Sequence, residues 1–364
     1  MRRSPRPAWL LLTVLIALGL AASACGSVAK PSGWSSPAVI GDLLLVAHKN
    51  KLYALDPETL GEKWRFPGTE EGKIKPTALY GSLASSNGSI FVPAYNGRLY
   101  AVAEDTGRAG EHLFDTDGPL VGGVAVDAGT IYFGSSDGKL YALDATTGAE
   151  RWTPFKADNE IWSTPVVDGD TLYVTSLDGK LYAINTATGA ERWSYKTAAG
   201  VASTPVLDKG EGLIYVGGFD SRLRAIDLTS HEQRWQVEAD NWFWTRPLVA
   251  DGVVYAGSLD KKVYAVEAAS GTARWARPFA TDAPVHAAPV MAGGKLIVVD
   301  RGGNVFALEP EDGTMAPAEA LDVGGDVLAD PLVMSDGSVL IVTTGGDVLR
   351  IDPETLTIID QRKL

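Results

Sequence analysis

Cysteine is almost absent from this chain of 364 residues, because Cys25 is the only one. A lone cysteine cannot form an internal disulfide, so packing alone has to hold the fold together. Histidine is also scarce, and the four residues show no HxxxH or HxxE spacing: they are His48, His112, His231 and His286. We therefore predict no metal site. The G-x-S-x-G, Walker A and G-x-G-x-x-G motifs are missing too, which argues against an enzyme.

The chain also lacks an apolar run long enough to span a bilayer comfortably, since the run at residues 8–20 has only thirteen residues. It follows three arginines and precedes the small residues "AASA" that lead to Cys25. This arrangement resembles a bacterial lipoprotein signal. The resemblance implies that residues 1–24 form a signal peptide, that Cys25 carries the lipid and that residues 25–32 form a short linker. An ordinary cleaved secretory signal is the alternative.

Positive charge is in deficit, because the formal net charge is -13. The first 24 residues hold three arginines and no acidic residue, so the remaining chain carries -16. Such an acidic surface argues against nucleic acid as a partner and against polybasic docking on anionic lipid. The 45% of hydrophobic residues nevertheless indicates a folded, globular protein.

What the chain does contain is a repeat of about forty residues. The segment "SSDGKLYALDATTGAERW" at residues 135–152 returns as "SLDGKLYAINTATGAERW" at residues 176–193. A Leu/Val-aromatic-Ala triplet marks each copy, with two degraded versions, and eight copies can be counted. The middle residues of the triplets are Tyr53, Tyr100, Tyr141, Tyr182, Arg224, Tyr264, Phe306 and Leu349.

Each copy contains four short β-rich runs separated by glycine, aspartate and asparagine, and none shows a sustained helical period. Four strands per copy predict an all-β, eight-bladed β-propeller with four antiparallel strands in each blade. Seven blades are the alternative, if one degraded end copy is not a blade. Residues 33–364 would form this single domain. The end copies look complete, so the sequence shows no obvious strand exchange to close the ring, and whether residues 28–33 add a strand stays open.

A tryptophan follows the middle residue of five triplets by eleven positions, at Trp64, Trp152, Trp193, Trp235 and Trp275. Together with "LYALD" and the Thr-Gly turn, this pattern resembles the tryptophan-docking repeat of pyrroloquinoline quinone (PQQ)-type propellers. The resemblance implies that these tryptophans pack between blades. Glu111, Pro317 and Asp360 occupy the same position in the other copies, where another contact has to replace the tryptophan.

Two branches of this family have different functions. The quinoprotein dehydrogenases bind PQQ and Ca²⁺, but they carry long insertions and a pair of adjacent cysteines that this chain lacks. The lipid-anchored propeller of the outer-membrane β-barrel assembly complex is similar in length, blade number and signal. This second resemblance implies a non-enzymatic, monomeric scaffold without a cofactor, which binds a membrane protein or an envelope complex.

The same resemblance implies export and lipid anchoring to a bacterial membrane, the outer one if the cell has two, with the propeller in the periplasm or outside the cell. Two alternatives remain open. One is a PQQ-binding redox protein or sensor, and the other is a receptor for a small ligand or a glycan at the mouth of the central channel.

The candidate contact surface comes from the residues three positions before the first-strand proline or its equivalent. We expect these residues to ring one mouth of the channel: they are Trp34, Tyr80, Val121, Trp162, Ala202, Trp244, His286 and Leu328. Trp162, Trp242 and Trp244 would form an aromatic platform for an extended peptide or an amphipathic ligand. Arg246, His286 and Asp330 would supply polar contacts. The alternative is that these aromatic side chains only pack between blades.

Overall fold

The computed structural model describes residues 33–68, 74–110 and 112–364. The predicted signal peptide, Cys25 and the predicted linker lie outside the described residues. Ser32–Leu364 forms one compact unit. No described residue is helical, and the described part contains no helix that could cross a membrane.

Thirty-two strands form eight four-stranded sheets in the described residues. Blades 1 to 3 consist of β1 (Ala38–Ile40), β2 (Leu43–His48), β3 (Lys51–Leu55), β4 (Glu62–Phe66), β5 (Ala84–Ser86), β6 (Ser89–Pro93), β7 (Arg98–Ala103), β8 (Phe114–Asp115), β9 (Val124–Asp127), β10 (Thr130–Gly134), β11 (Lys139–Asp144) and β12 (Phe155–Lys156).

Blades 4 to 6 consist of β13 (Val166–Asp168), β14 (Thr171–Thr175), β15 (Lys180–Asn185), β16 (Glu191–Lys196), β17 (Val206–Asp208), β18 (Leu213–Gly217), β19 (Arg222–Asp227), β20 (Gln233–Glu238), β21 (Leu248–Ala250), β22 (Val253–Ser258), β23 (Lys262–Glu267) and β24 (Phe279–Ala280). Blades 7 and 8 consist of β25 (Val290–Ala292), β26 (Lys295–Val299), β27 (Asn304–Leu308), β28 (Leu321–Asp322), β29 (Leu332–Val333), β30 (Val339–Val342), β31 (Asp347–Asp352) and β32 (Thr357–Lys363). Each sheet uses four consecutive antiparallel strands, so the predicted eight-bladed propeller is confirmed.

Blade 4 shows why one repeat folds into four strands. Its middle strand β14 is buried throughout, while the outer strand β16 alternates between exposed and half-buried residues. Gly179 turns the chain between β14 and β15 with a φ of 84°, a conformation that glycine adopts at little cost. Between β15 and β16 the Asn185 side chain accepts hydrogen bonds from the backbone N–H and hydroxyl of Thr188, both at 3.0 Å.

The hydrophobic core is divided among the interfaces between blades. The described residues contain eight buried clusters, each of which joins two consecutive blades. One of them joins Leu44 and Val46 of blade 1 to Leu340 and Val342 of blade 8. Among the described residues each sheet uses four strands that are consecutive in the sequence, and the interface between blades 8 and 1 is filled by side-chain packing.

The tryptophans pack between blades as the resemblance implied. Four indole N–H groups donate to backbone carbonyls of the next blade at 2.8–3.1 Å, those of Trp64, Trp152, Trp235 and Trp275. Each ring lies on a glycine with positive φ in the next blade, namely Gly107, Gly189, Gly271 and Gly313. A Cβ atom on these glycines would lie 2.5–2.7 Å from the indole, so only glycine leaves room for the ring.

Leucines replace the tryptophan in blades 7 and 8, whereas Glu111, the tryptophan position of blade 2, lies outside the described residues. Blades 7 and 8 carry Pro317 and Asp360 at the tryptophan position. In the following blades the glycine position of the turn holds Leu356 and Leu60, which are 6% and 1% exposed. Both leucines belong to the inter-blade clusters. The contact that was expected to replace the tryptophan is therefore a leucine from the opposite side of the interface.

The fifth tryptophan, Trp193, meets a different partner. The turn position opposite it is His231, which has a φ of 61°. The two rings stack with their centroids 4.5 Å apart and their planes at 17°. The imidazole thus provides the surface on which this indole lies, in place of the glycine of the other blades.

Candidate binding site at the channel mouth

The loops at one end of the propeller are fixed by aspartates in the turns between second and third strands. In blade 4 Asp178 accepts hydrogen bonds from the backbone N–H of Asp158 at 3.0 Å and from the Tyr182 hydroxyl at 2.5 Å. Burial and this carboxylate raise the pKa of Tyr182 above its usual value. Lys180 pairs with Asp158 at 3.0 Å on the outside of the loop. Equivalent contacts in blades 3 and 6 hold the mouth rigid.

A ring of residues around the channel axis, here called the axial belt, narrows the channel below this mouth. Its members directly precede the first-strand proline or its equivalent: Ser36, Ser82, Gly123, Thr164, Thr204, Arg246, Ala288 and Asp330. Backbone N–H groups of one blade donate to belt side chains of the next, as from Gly123 to Thr164 and from Thr164 to Thr204, both at 3.1 Å. The Ser82 and Thr164 hydroxyls lie 3.1 Å apart across blade 3. Six small residues thus allow the belt to close tightly.

Arg246 and Asp330 are the two charged members of the axial belt, and the structure brings them together. The Arg246 Nε lies 3.4 Å from the Asp330 Oδ2, which joins blades 6 and 8 across Ala288. Asp330 also accepts the Ala288 N–H at 2.7 Å and donates its own N–H to the Ser36 hydroxyl at 3.1 Å. The side chain of Arg246 is 47% exposed, and its terminal amino groups have no acceptor among the described residues.

Three aromatic rings form a stack beside this pair, which we call the aromatic stack. Phe219 lies between Trp242 and Trp244, at centroid distances of 4.7 Å and 5.4 Å and interplanar angles of 29° and 17°. The His286 ring is a neighbour of Trp244, with the two centroids 6.1 Å apart and the planes at 52°. The sequence-predicted residues Trp242, Trp244 and His286 are therefore neighbours.

Phe219 is the member of the aromatic stack that sequence reasoning missed. It lies in the turn between β18 and β19, one blade before the two tryptophans. The only signal that could have found it is its place in the turn that connects the second and third strands of its blade, because these turns surround the same mouth. No spacing in the sequence links it to Trp242 or Trp244.

Trp162 lies apart from the aromatic stack. Its indole N–H donates to the Ser136 hydroxyl of the preceding blade at 2.9 Å. By contrast, the indole N–H groups of Trp242 and Trp244 have no acceptor among the described residues and are not among the buried polar atoms that lack a partner. Both groups therefore face solvent. Phe243 between them is 1% exposed and packs against Tyr264 in the blade interface.

His286 is held in its neutral form. Burial lowers its pKa to about 4, and the positive charge of Arg301 adds to the effect. Its Nδ1 atom is buried and has no hydrogen-bond partner among the described residues. At neutral pH the site thus presents an uncharged imidazole beside a neutralised Arg–Asp pair.

Known proteins share both the repeat and the ring. The family model described as outer membrane protein assembly factor BamB matches residues 21–152, 95–240 and 280–361, which is more than half of the chain. The chain belongs to this family of PQQ-like propellers. No curated protein sequence matches it.

Two solved structures resemble the propeller in fold. The crystal structure of BamB from Moraxella catarrhalis has a TM-score of 0.71 at 17% identity, covering 88% of this chain and 94% of that chain. The computationally designed Ika8 protein also has a TM-score of 0.71, at 13% identity, covering 90% and 98%. In total 1814 solved chains match, so the fold by itself does not select a function.

The described residues do not fit the Ca²⁺ ion of the PQQ alternative. Calcium takes six to eight oxygen ligands, usually with several carboxylates. In the described part of the chain no group of three or more His, Cys, Asp or Glu residues is arranged to hold a metal ion. Asp330, the carboxylate at the axis, is already engaged by Arg246 and the Ala288 N–H.

A second aromatic group lies across the mouth. Trp34 and Tyr80 meet edge to face at 4.4 Å, and Tyr80 contacts Tyr95 at 5.5 Å. These residues belong to blades 1 and 2, which are opposite blades 5 and 6 in a ring of eight. Aromatic side chains therefore line two opposing parts of the same opening.

Proposed function

We propose that this protein is a lipid-anchored, non-enzymatic scaffold that binds a membrane protein or an envelope complex, with outer-membrane protein assembly as its pathway. The observation that carries the proposal is the family match, which covers residues 21–240 and 280–361 of a chain whose described residues form eight four-stranded blades. The family's own name refers to an assembly factor of outer membrane proteins.

A rigid ring suits such a role. Every blade is fixed to the next by a buried cluster, and the tight belt around the axis opposes opening of the ring. A partner that binds across several rim loops then meets a preorganised surface and loses little binding free energy to loop ordering. The protein acts alone as a monomer in this proposal, and the lipid on Cys25 keeps it at the membrane surface.

The anchoring half of the proposal is tested with a Cys25→Ala variant. An acylated cysteine adds about 0.8 kcal/mol of membrane affinity per buried CH₂, so its loss releases the propeller into the soluble fraction. Fractionation of cells that express the wild type and the variant at equal levels measures this. Retention of the variant in the membrane fraction would exclude lipid anchoring at Cys25.

The scaffold half is tested by crosslinking the lipidated protein in its native membranes and identifying captured proteins by mass spectrometry. We expect recovery of a defined membrane complex, including components of β-barrel assembly where the cell has an outer membrane. The Cys25→Ala variant serves as the matched control, because its propeller is unchanged. If the wild type and the Cys25→Ala variant capture the same unrelated soluble proteins to the same extent, the proposal is contradicted.

A further inference from the structure

We propose that the aromatic stack and the Arg246–Asp330 pair form a binding site for a neutral glycan chain at the channel mouth. This inference goes beyond the scaffold function and does not depend on it. It commits to one class of ligand, and an extended peptide is treated as an outcome of the test.

The first argument is the balance of charge. Arg246 and Asp330 neutralise each other, Arg301 lies 3.7 Å from Asp326, and His286 is uncharged at neutral pH. The chain as a whole carries -13, so its long-range field repels anions. An anionic ligand therefore gains no net electrostatic attraction at this mouth, whereas a neutral ligand is not repelled.

The second argument is the set of unused hydrogen-bonding groups. The indole N–H groups of Trp242 and Trp244 face solvent without an acceptor, and the terminal amino groups of Arg246 are free of acceptors in the described chain. Asp330 adds carboxylate oxygens with lone pairs beyond those used by Ala288 and Arg246. Sugar hydroxyls both donate and accept, so they can pair with donors and acceptors that lie side by side.

The third argument is shape. Belt residues of neighbouring blades meet at hydrogen-bond distance, so the channel below the mouth is narrow, and we expect a ligand to lie across the surface instead of entering the channel. The three stacked rings form a rigid apolar edge, which costs little conformational entropy on binding. A cavity of about 380 Å³ does exist elsewhere, between blades 2 and 3, but it includes no residue of the aromatic stack or of the Arg246–Asp330 pair. Flat sugar rings suit this shallow aromatic surface better than side chains that need pockets.

The test is calorimetric titration of the full-length, detergent-solubilised protein with four tetrasaccharides. Chitotetraose, cellotetraose and maltotetraose are the neutral probes, and tetragalacturonate is the anionic control. We expect one neutral probe to bind with a Kd of about 1 mM or tighter, and the anionic probe to bind more weakly. Absence of binding by all three neutral probes, or stronger binding of tetragalacturonate, would overturn the proposal.

The variants place the site. Trp242→Ala and Trp244→Ala should each raise the Kd at least tenfold, which corresponds to about 1.4 kcal/mol. Trp162→Ala is the matched control. Like Trp244, Trp162 lies three positions before the first-strand proline of its blade, but it lies outside the aromatic stack. Its Kd should stay unchanged, and an equal loss in this control would refute the assignment.

A second variant protects the test against misfolding. If Trp244→Ala strongly lowers the thermal midpoint of unfolding, the aromatic stack stabilises the fold, and the Kd of that variant does not report on ligand contacts. Arg246→Ala then decides, because its half-exposed side chain belongs to no buried cluster and an exposed ion pair of this kind contributes little to the stability of the fold. We expect a tenfold rise in Kd with an unchanged midpoint. An unchanged Kd, or binding of an extended Thr/Val decapeptide that depends on Trp244 while the glycans fail to bind, would refute the glycan site.

Discussion

Replacing Gly189 by alanine tests whether tryptophan docking holds neighbouring blades together. Gly189 lies in the turn between β15 and β16, and its φ is 70°. An added Cβ would lie 2.6 Å from the Trp152 ring. Gly169 is the matched control within the same blade, because its φ is 57° and no atom lies within 4 Å of its added Cβ.

The two substitutions share a backbone penalty and differ in the clash. A left-handed conformation costs a non-glycine residue about 1–2 kcal/mol, and alanine recovers about 0.4–1 kcal/mol through the unfolded state. Gly169→Ala should thus lower the free energy of unfolding by about 1 kcal/mol. At Gly189 the indole of Trp152 must also move, which costs about 1–3 kcal/mol for overpacking. The movement also weakens its 3.1 Å hydrogen bond to Thr186, worth about 1 kcal/mol. The expected difference between the variants is therefore about 2–4 kcal/mol.

Equilibrium urea unfolding measures both variants, with the m-value checked for constancy. The substitution Trp152→Ala provides the second axis of a double-mutant cycle. In that background the cost of Gly189→Ala should fall to the value found for Gly169→Ala. Equal destabilisation by the two alanines in the wild-type protein, or no coupling to Trp152, would refute the docking argument.

Two further predictions concern stability. Burial lowers the pKa of His286 from its ordinary value of 6.5 to about 4, so folding favours the neutral form. The neutral imidazole therefore makes its full contribution to the free energy of unfolding above pH 6.5. This contribution, about 3 kcal/mol in all, is lost as the pH falls towards 4. His286→Gln should remove this part of the acid dependence in unfolding measured from pH 7 to 4, and an unchanged profile would contradict it. Leu60→Ala, at the interface between blades 8 and 1, should lower the free energy of unfolding by about 2–5 kcal/mol, whereas Leu60→Met should lower it by less than about 1.5 kcal/mol. Equal urea midpoints for the two variants would contradict a packing role for Leu60.

The sequence was sufficient to predict the blades, because every determinant of a blade lies within one repeat. Strand runs, turn glycines and the tryptophan position all recur at a fixed distance from the central triplet. The contacts of Pro317 and Asp360 could not be predicted in this way. Their replacements, Leu356 and Leu60, lie in the next blade, and in the sequence both read as ordinary turn residues.

The candidate site was predictable in part. Trp244 and His286 were indicated by their place three positions before the first-strand proline or its equivalent. Arg246 and Asp330 were indicated by their place directly before it. Which of these meet was not predictable, since Arg246 reaches across a whole blade to Asp330. Phe219 and the separate position of Trp162 depend on loop geometry that side-chain contacts in three dimensions determine.

Because no strand of the described residues is exchanged between sheets, the order of the blades along the chain can be permuted circularly. Every sheet consists of four consecutive strands, and the seam between blades 8 and 1 is closed by the same kind of packing as the other seven interfaces. Joining Leu364 to Trp34 by a short loop and opening the chain between blades 4 and 5 would leave all eight sheets uncut. The fold therefore has no privileged starting blade, and a membrane tether or a fused domain can enter it at any of eight equivalent loops without dividing a sheet.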